Sequence, residues 1–245
     1  MTTYKHKSQL WKLALAFSLL GVLAGCTNDG IETRTEPAKT TTAQLSPHEV
    51  EMLQVAANGN NARAKELLDK GVDVNMRGND HNTPLMEAAY AGHLETCKLL
   101  LDHGADISAK KNDGASPGTL THSKEVSELF KNVATLVDAA GKGTVPTVKE
   151  LIDKGTPVNG LDQSGRSALT EASWNGKIDI VKLLLEKGAD PKIKKADGET
   201  PLSLATSQKH PEIVTLLNEA IAKQSKGVAA AKGNPAPPKS PPAVK

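Results

Sequence analysis

The sequence predicts an all-α repeat solenoid, and three observations lead to this prediction. The sequence repeats itself at a distance of 84 residues: Lys65-Glu-Leu-Leu-Asp-Lys-Gly71 reappears as Lys149-Glu-Leu-Ile-Asp-Lys-Gly155. Self-similarity at a fixed period is typical of stacked repeats. Apolar side chains between the glycines have helical spacing. Only 2% of the residues are aromatic and 38% are hydrophobic, so we expect a core of small aliphatic side chains.

The segment from Thr83 to Asp113 predicts one complete repeat unit. Pro84 suits the first turn of a helix, and Gly92 ends that helix. A second helix follows, and Gly104 supplies the positive backbone dihedral at its end, before a projecting turn. The residues expected to face inward are Leu85, Ala88, Ala89, Leu94, Cys97, Leu99 and Leu100.

This unit closely resembles an ankyrin repeat. The matching features are Thr-Pro-Leu from Thr83, the Ala-Ala pair, the Gly-His turn, the triple leucine and the Gly-Ala-Asp ending at Asp106. The resemblance implies about six units, each a helix-turn-helix followed by a hairpin-like loop. Their predicted ranges are 48–80, 81–113, 114–133, 134–163, 164–197 and 198–222. Because the unit from Thr83 also reappears at Ser167, the array is interpreted as a duplicated set of three repeats.

Two of the six units depart from the family pattern. In the third, Ser116-Pro117 is followed too early by the helix containing Glu125 and Val126, which predicts a short or irregular first helix and a bend. This irregular unit suggests the hypothesis of two half-stacks that move or bind separately. The sixth unit has polar residues and Pro211 at its helix turn, which suits an end cap, so the stack is expected to stop near Ala222.

The N-terminus predicts an exported lipoprotein. Three lysines precede the apolar stretch from Leu13 to Ala24, which suits a signal peptide and is short for a membrane span. The sequence Leu23-Ala-Gly-Cys26 resembles the lipobox of bacterial lipoproteins, which implies cleavage before Cys26 and acylation of its thiol, for example with palmitate. The alternative is an uncleaved anchor with an incidental cysteine. In the lipoproteins that this segment resembles, an Asp directly after the cysteine retains the protein in the inner membrane; Thr27 stands there instead, so the resemblance implies the periplasmic side of the outer membrane.

Composition separates the folded part from its flanks. The predicted domains are a signal peptide (1–25), a flexible tether (26–47), two halves of the array (48–133 and 134–222) and a disordered Pro/Ala/Lys tail (223–245). The basic tail is interpreted as a solvated spacer, with contact to anionic lipid or cell-wall polymer as the alternative. Residues 48–222 hold 20 basic and 25 acidic side chains, which argues against nucleic-acid binding.

No group of residues suggests catalysis, a metal or a cofactor. The two cysteines have unrelated contexts, and no cysteine or histidine cluster has metal-ligand spacing. Gly141-Lys-Gly-Thr144 is interpreted as a helix-helix turn rather than a phosphate-binding loop. Glu87 and Glu171 lie in different repeats, so they are predicted to be solvated and too far apart for paired acid-base chemistry. The sequence therefore predicts a protein that is not an enzyme.

The ankyrin resemblance implies that a partner contacts the hairpin tips and the exposed face of the first helices. Tyr90 and Trp174 occupy the same repeat position, and scarce rings at a surface suggest binding anchors. The alternative is that each ring packs across its neighbouring repeat. Phe130 is predicted to lie in the core. The candidate partner-binding residues are Asn79, Asp80, Asn82, Glu87, Tyr90, Asn112, Asp113, Gln163, Ser164, Arg166, Glu171, Trp174, Asn175, Asp197 and Glu199.

The sequence therefore predicts a monomeric periplasmic protein whose membrane contact is its lipid anchor. It resembles exported bacterial ankyrin proteins, some of which are self-protection (immunity) proteins against the cell's own wall-modifying enzymes. This resemblance implies an inhibitor of a peptidoglycan endopeptidase or hydrolase that acts by occlusion. The alternative is a lipid-anchored scaffold that recruits envelope proteins without inhibiting them.

Overall fold

The computed structural model describes residues 45–195 and 197–231, and this part of the chain is a repeat solenoid of α-helices. The first helices of the repeats are α1 (Pro47–Ala57), α3 (Pro84–Ala91), α5 (Pro117–Leu120), α8 (Ala168–Trp174) and α10 (Pro201–Ser207). The second helices are α2 (Asn61–Asp69), α4 (Leu94–Asp102), α7 (Val145–Asp153), α9 (Ile178–Glu186) and α11 (Pro211–Ala231). The remaining helix, α6 (Lys124–Lys142), belongs to both sets. The predicted all-α fold is confirmed.

Local sequence signals fix the ends of these helices. The side chain of Thr83 accepts a hydrogen bond from the backbone N–H of Met86, and Pro84 occupies the first turn of α3. Gly92 ends the same helix with a φ of 76°, a left-handed conformation that costs glycine little. The first helices pack side by side in one layer, and the second helices lie alongside one another in a second layer.

Four projecting turns connect successive repeats, and all four are closed in the same way. In each, a backbone N–H donates to the carbonyl oxygen four residues later, at 2.8 or 2.9 Å. The donor and acceptor pairs are Gly78 and Asn82, Lys111 and Ala115, Asp162 and Arg166, and Lys195 and Glu199. The first and third turns are 84 residues apart, and so are the second and fourth. The duplication predicted from sequence therefore holds in the backbone geometry of the turns.

The third repeat is incomplete, and the predicted boundary between residues 133 and 134 is wrong. Helix α5 has only 4 residues, which confirms the short first helix, but α6 then runs for 19 residues straight through the boundary. No glycine or proline interrupts residues 124–140, so nothing in this segment stops the helix. The first part of α6 acts as a second helix beside α4, and the last part acts as a first helix beside α8.

Because α6 takes both roles, it joins two separate hydrophobic cores. Val126, Leu129, Phe130 and Val133 are buried among side chains of α3 and α4. Leu136, Ala139 and Ala140, in the last part of α6, pack with α7, α8 and α9. The predicted burial of Phe130 is confirmed, with 3% of it exposed. The two halves of the array therefore share one helix instead of meeting at a break.

Fusing two helices in α6 removes one projecting turn and brings the second and fourth repeats into contact. Leu161 donates a backbone hydrogen bond of 3.5 Å to the carbonyl of Ala105, next to an isolated parallel bridge between Asp106 and Leu161. The Asn159 amide donates to the carbonyl of Asp102 at 3.0 Å. These contacts fix the position of the second half against the first.

Both predicted ends of the array shift. Helix α11 continues to Ala231, nine residues past the expected stop at Ala222, because alanine, lysine and glutamine favour helix until the proline-rich segment. At the other end, α1 already begins at Pro47, inside the predicted tether. The predicted signal peptide, Cys26 and the last fourteen residues lie outside the described part of the chain. Among the helices that the structure describes, none is long and apolar enough to cross a membrane.

Candidate protein-binding surface

Large exposed apolar side chains concentrate on the first helices. Tyr90 on α3 is 64% exposed, Trp174 on α8 is 44% exposed and Val50 on α1 is 42% exposed. The apolar residues just before them on the same helices, such as Ala89 and Ala172, are buried, whereas both rings are exposed and therefore lie outside the core. The predicted exposure of Tyr90 and Trp174 is confirmed. We call the exposed side of α1, α3, α8 and α10, with the four projecting turns, the first-helix face.

Tyr90 has one aromatic neighbour that the sequence pattern did not single out. The His122 ring lies edge-on to the Tyr90 ring, with centroids 6.4 Å apart and planes at 62°. His122 belongs to the short connection between α5 and α6. The contact therefore depends on the irregular third repeat, which has no counterpart beside Trp174. Even with it, most of the Tyr90 side chain remains exposed.

In the first half, the two projecting turns hydrogen-bond to each other. The backbone N–H of Asn112 donates to the carbonyl of Asp80 at 3.2 Å, and the side chains of Asn112 and His81 are in contact. His81 has a φ of 56°, at a place where the other three turns have glycine. Within the first of these turns, the Asn82 amide donates to the Glu87 carboxylate at 2.6 Å.

In the second half, an arginine organises the equivalent turn. Arg166 donates to Asp162 at 2.8 and 3.2 Å and to Glu171 at 3.1 Å. The hydrogen bonds to Asp162, followed by the charges of Asp162 and Glu171, raise the pKa of Arg166. The Asn175 amide donates to the other Glu171 oxygen at 3.3 Å. Asp162 is 5% exposed and accepts the hydrogen bonds of Arg166. The sequence analysis did not identify Asp162, because an aspartate next to a turn is common in loops of every kind.

The last turn carries a compact set of charges. Lys195 pairs with Glu199 at 2.6 Å and with Asp197 at 3.0 Å. The hydrogen bond to Glu199 is the main cause that raises the pKa of Lys195. The backbone N–H of Glu199 donates to Asp197 at 3.1 Å and is the main cause that lowers the pKa of Asp197.

All predicted partner-binding residues in the described chain are exposed or half-exposed, but the structure does not gather them into one cluster. Glu87 and Glu171 are half-buried and hydrogen-bonded, so the prediction that both are solvated is only partly right. Within the described part, the predicted residues that take part in no side-chain hydrogen bond with another member of the set are Asn79, Asp80, Tyr90, Asn112, Asp113, Gln163, Ser164 and Trp174. Among the described residues, no hydrogen bond links the predicted residues of the first half to those of the second.

Comparison with protein-family models identifies the repeat family that forms this surface. A family model described as "Ankyrin repeats (3 copies)" matches residues 33–111 and 136–228. The chain belongs to the ankyrin-repeat family. The unmatched interval between the two blocks covers α5 and the first part of α6, which is the irregular region of the fold. A search of curated proteins found no match.

Ankyrin repeats imply protein-protein binding, and the first-helix face of this array carries the residues that the sequence predicts for it. In the described residues, no three histidine, cysteine or acidic side chains are arranged to hold a metal ion.

Cys97 on α4 lies inside the core of the first half. Burial raises the pKa of Cys97 to about 12, so this thiol stays protonated there. Leu101 is buried there, whereas the predicted Leu99 is only half-buried.

A groove at the end of α4 does not belong to the predicted surface. It measures about 770 Å³ and lies between the end of α4, α9 and α11. Its walls mix apolar side chains such as Leu185 and Leu216 with charged ones such as Glu186 and Lys223. None of the predicted partner-binding residues lines it. The ankyrin array therefore has an exposed aromatic face on one side and a mixed groove on the other.

Proposed function

We propose that this ankyrin-repeat chain is a lipid-anchored periplasmic protein whose first-helix face binds an envelope enzyme and blocks it. The observation that carries the binding part is the exposure of Tyr90 and Trp174 at equivalent positions of two different repeats. Tyrosine and tryptophan dominate interface energetics because a rigid ring buries a large area at little entropic cost. An exposed ring on each half provides one contact point per half.

The anchored, periplasmic part of the proposal rests on the N-terminal sequence. Leu23-Ala-Gly-Cys26 follows an apolar stretch and supports cleavage before Cys26 and acylation of its thiol. Several acyl chains on one residue hold a protein to a membrane far more firmly than one chain does. Thr27 supports the periplasmic side of the outer membrane as the location.

The inhibitory part of the proposal follows from the size and position of the face. The projecting turns and the two rings extend over both halves of the array, so a bound enzyme loses access to whatever part of its surface they cover. A cell-wall endopeptidase or hydrolase is the named class of partner, because such an enzyme endangers the cell that makes it. This gives the chain a self-protection role.

Partner capture followed by an enzyme assay tests the proposal. The full-length chain is expected to retain a periplasmic protein from an envelope extract, identified by mass spectrometry, and to inhibit its peptidoglycan cleavage. Tyr90→Ala with Trp174→Ala is expected to lose both capture and inhibition. Capture without inhibition would instead support the scaffold alternative, and unchanged capture by the double variant would contradict the proposed face.

Metabolic labelling tests the anchor separately. The wild-type chain is expected to incorporate radioactive palmitate and to sediment with outer membranes. The Cys26→Ser variant is expected to remain unlabelled and uncleaved. Equal labelling of both chains would rule out Cys26 as the acylated residue.

A further inference from the structure

We propose that the Glu87 carboxylate, with the Tyr90 ring one helical turn further along α3, binds an arginine or lysine side chain of the protein partner. This inference rests on the proposed protein-binding function and specifies the chemistry of the partner at one position of the first-helix face. The observation behind it is a difference between two equivalent sites, 84 residues apart, in the two halves of the array.

In the second half, the chain itself supplies a guanidinium to the equivalent carboxylate. Arg166 Nη1 donates to Glu171 Oε1 at 3.1 Å, and Asn175 Nδ2 donates to Glu171 Oε2 at 3.3 Å. Both carboxylate oxygens therefore have a donor, and an arginine offsets the negative charge. The second half shows that this place in the repeat accommodates a guanidinium on the carboxylate, and Trp174 lies three residues after Glu171 on the same helix.

In the first half, neutral residues occupy both donor positions. Asn82 takes the place of Arg166, and its amide donates to Glu87 Oε1 at 2.6 Å. Ala91 takes the place of Asn175 and has no side-chain donor. Among the described residues, no side chain donates to Glu87 Oε2 and no basic group forms an ion pair with Glu87. The carboxylate therefore has no basic partner in the described chain, and one of its oxygens has no side-chain donor.

Tyr90 completes the site because it lies three residues after Glu87 on the same helix. Residues at this spacing are neighbours on a helix surface. An exposed aromatic ring attracts a cation to its face, and a nearby carboxylate adds an ion pair. Tyr90 is the more exposed of the two rings, at 64% against 44% for Trp174.

The charge of the first half supports a basic partner. Residues 48–133 hold 9 basic and 13 acidic side chains, whereas residues 134–222 hold 11 and 12. The half with the open carboxylate is therefore the more acidic half. Complementary charge across an interface steers the encounter and selects the partner.

Titration with a small cationic probe tests the site directly. The isotope-labelled full-length chain is titrated with Nα-acetylarginine N-methylamide, and backbone amide shifts are followed by NMR. The citrulline analogue has the same shape without the charge and serves as the matched probe. We expect saturable shifts at Glu87 and Tyr90 with the arginine probe only, and Glu87→Gln is expected to weaken binding by about fivefold or more. Equal shifts with both probes would overturn the proposal.

Exchanging the two donor residues gives a sharper test. Asn82→Arg is expected to place an internal guanidinium on Glu87 and to abolish probe binding there. Asn82→Gln keeps a neutral amide and is expected to retain binding. Arg166→Asn combined with Asn175→Ala reproduces both residues of the first half and is expected to create a new site at Glu171. Trp174 fluorescence detects it in a background that also carries Trp11→Phe, because Trp11 and Trp174 are the two tryptophans of the sequence. Circular dichroism confirms that each variant is folded.

The outcomes separate this inference from the proposed function. If Tyr90→Ala with Trp174→Ala loses partner capture but Asn82→Arg still binds the arginine probe as well as the wild type does, the face binds protein and the cation site is wrong. If partner capture survives the double aromatic variant, the proposed binding face itself is wrong. Loss of probe binding in Asn82→Arg together with weakened partner capture supports both.

Discussion

The two halves of the array have nearly the same backbone turns but hold them with different side chains. In the first half, the turn containing Asp80 and the turn containing Asn112 hydrogen-bond to each other. In the second half, each turn is held internally, by Arg166 with Asp162 and by Lys195 with Glu199. Duplication thus preserved the positions that build the repeat, whereas the polar groups on the face diverged. This divergence leaves Glu87 open in one half and Glu171 paired in the other.

The joint between the halves is the other point of contrast. Within each half, successive repeats meet through separate helices and a projecting turn, but between the halves α6 continues without interruption. One part of α6 is buried in the first core and the rest in the second. Coupling between the halves therefore depends on a single helix and on the hydrogen bonds of Leu161 to Ala105 and of Asn159 to Asp102. Four sets of variants test how the two halves differ and how they are joined, from the largest expected effect to the smallest.

Breaking α6 is expected to have the largest effect. Thr135 is exposed near the middle of the helix, so Thr135→Pro removes a backbone hydrogen bond without removing a core side chain. A proline inside a helix costs about 3 kcal/mol or more. In urea unfolding, we expect one transition for the wild type and two for Thr135→Pro by circular dichroism, with Trp174 fluorescence following only one of them. Thr135→Ala is the control, and two transitions in the wild type would contradict the coupling.

Substituting the glycine of a helix-helix turn is expected to lower the free energy of unfolding more in the second half than in the first. Gly92 and Gly176 occupy equivalent positions with φ of 76° and 69°, so either Gly→Ala substitution costs about 1–2 kcal/mol of unfolding free energy. At Gly176, an added Cβ would also lie 2.6 Å from the His210 ring, whereas at Gly92 the nearest atom is 3.6 Å away. Chemical unfolding should show a larger loss for Gly176→Ala, and equal losses would contradict the close approach of His210.

A buried hydroxyl distinguishes α8 from α3. Ser173 Oγ is buried without a hydrogen-bond partner in the described structure, and the equivalent residue in the first half is Ala89. An unsatisfied buried polar group costs about 1–3 kcal/mol. Ser173→Ala is therefore expected to raise the free energy of unfolding by about 1 kcal/mol, and Ala89→Ser to lower it. Thermal unfolding of both variants measures this, and a loss of stability in Ser173→Ala would show that the hydroxyl has a partner.

The smallest effect is expected at the last helix-helix turn. Lys209 has a φ of 60° at the position where the other repeats place Gly59, Gly92, Gly143 and Gly176. A left-handed conformation costs a non-glycine residue about 1–2 kcal/mol, but glycine loses more backbone freedom on folding, which offsets about 0.5–1 kcal/mol of the gain. Lys209→Gly is therefore expected to raise the melting temperature modestly. Lys209→Ala keeps the strain and serves as the control, and it should leave the melting temperature unchanged.

Much of the fold could be predicted from the sequence because the repeat motif fixes backbone positions locally. Thr83, Pro84 and Gly92 each determine a helix end through their own chemistry, and the 84-residue shift transfers these positions to the second half. The sequence analysis did not predict that α6 is continuous, because the regular length of ankyrin repeats suggested that one repeat ends at residue 133. The absence of a Gly-Ala-Asp ending there was the signal against that boundary.

The face was predicted less completely than the fold. The exposure of Tyr90 and Trp174 followed from their repeat position, because neighbouring repeats cover only one side of each first helix. The pairing of Arg166 with Asp162, and the open oxygen of Glu87, depend on side-chain directions that a sequence pattern does not contain. The contact of His122 with Tyr90 depends on the irregular third repeat and has no counterpart from which it could be transferred.

Partner affinity of the aromatic double variant tests the central claim most directly. The full-length chain, Tyr90→Ala with Trp174→Ala, and a control pair, Lys65→Ala with Lys149→Ala on the second helices, are compared by surface plasmon resonance against the captured partner. Loss of two anchors of about 2 kcal/mol each predicts a roughly thousandfold weaker affinity for the aromatic variant. The control pair is also 84 residues apart and exposed, and its affinity should match the wild type. An aromatic variant that binds as tightly as the control pair would contradict the account.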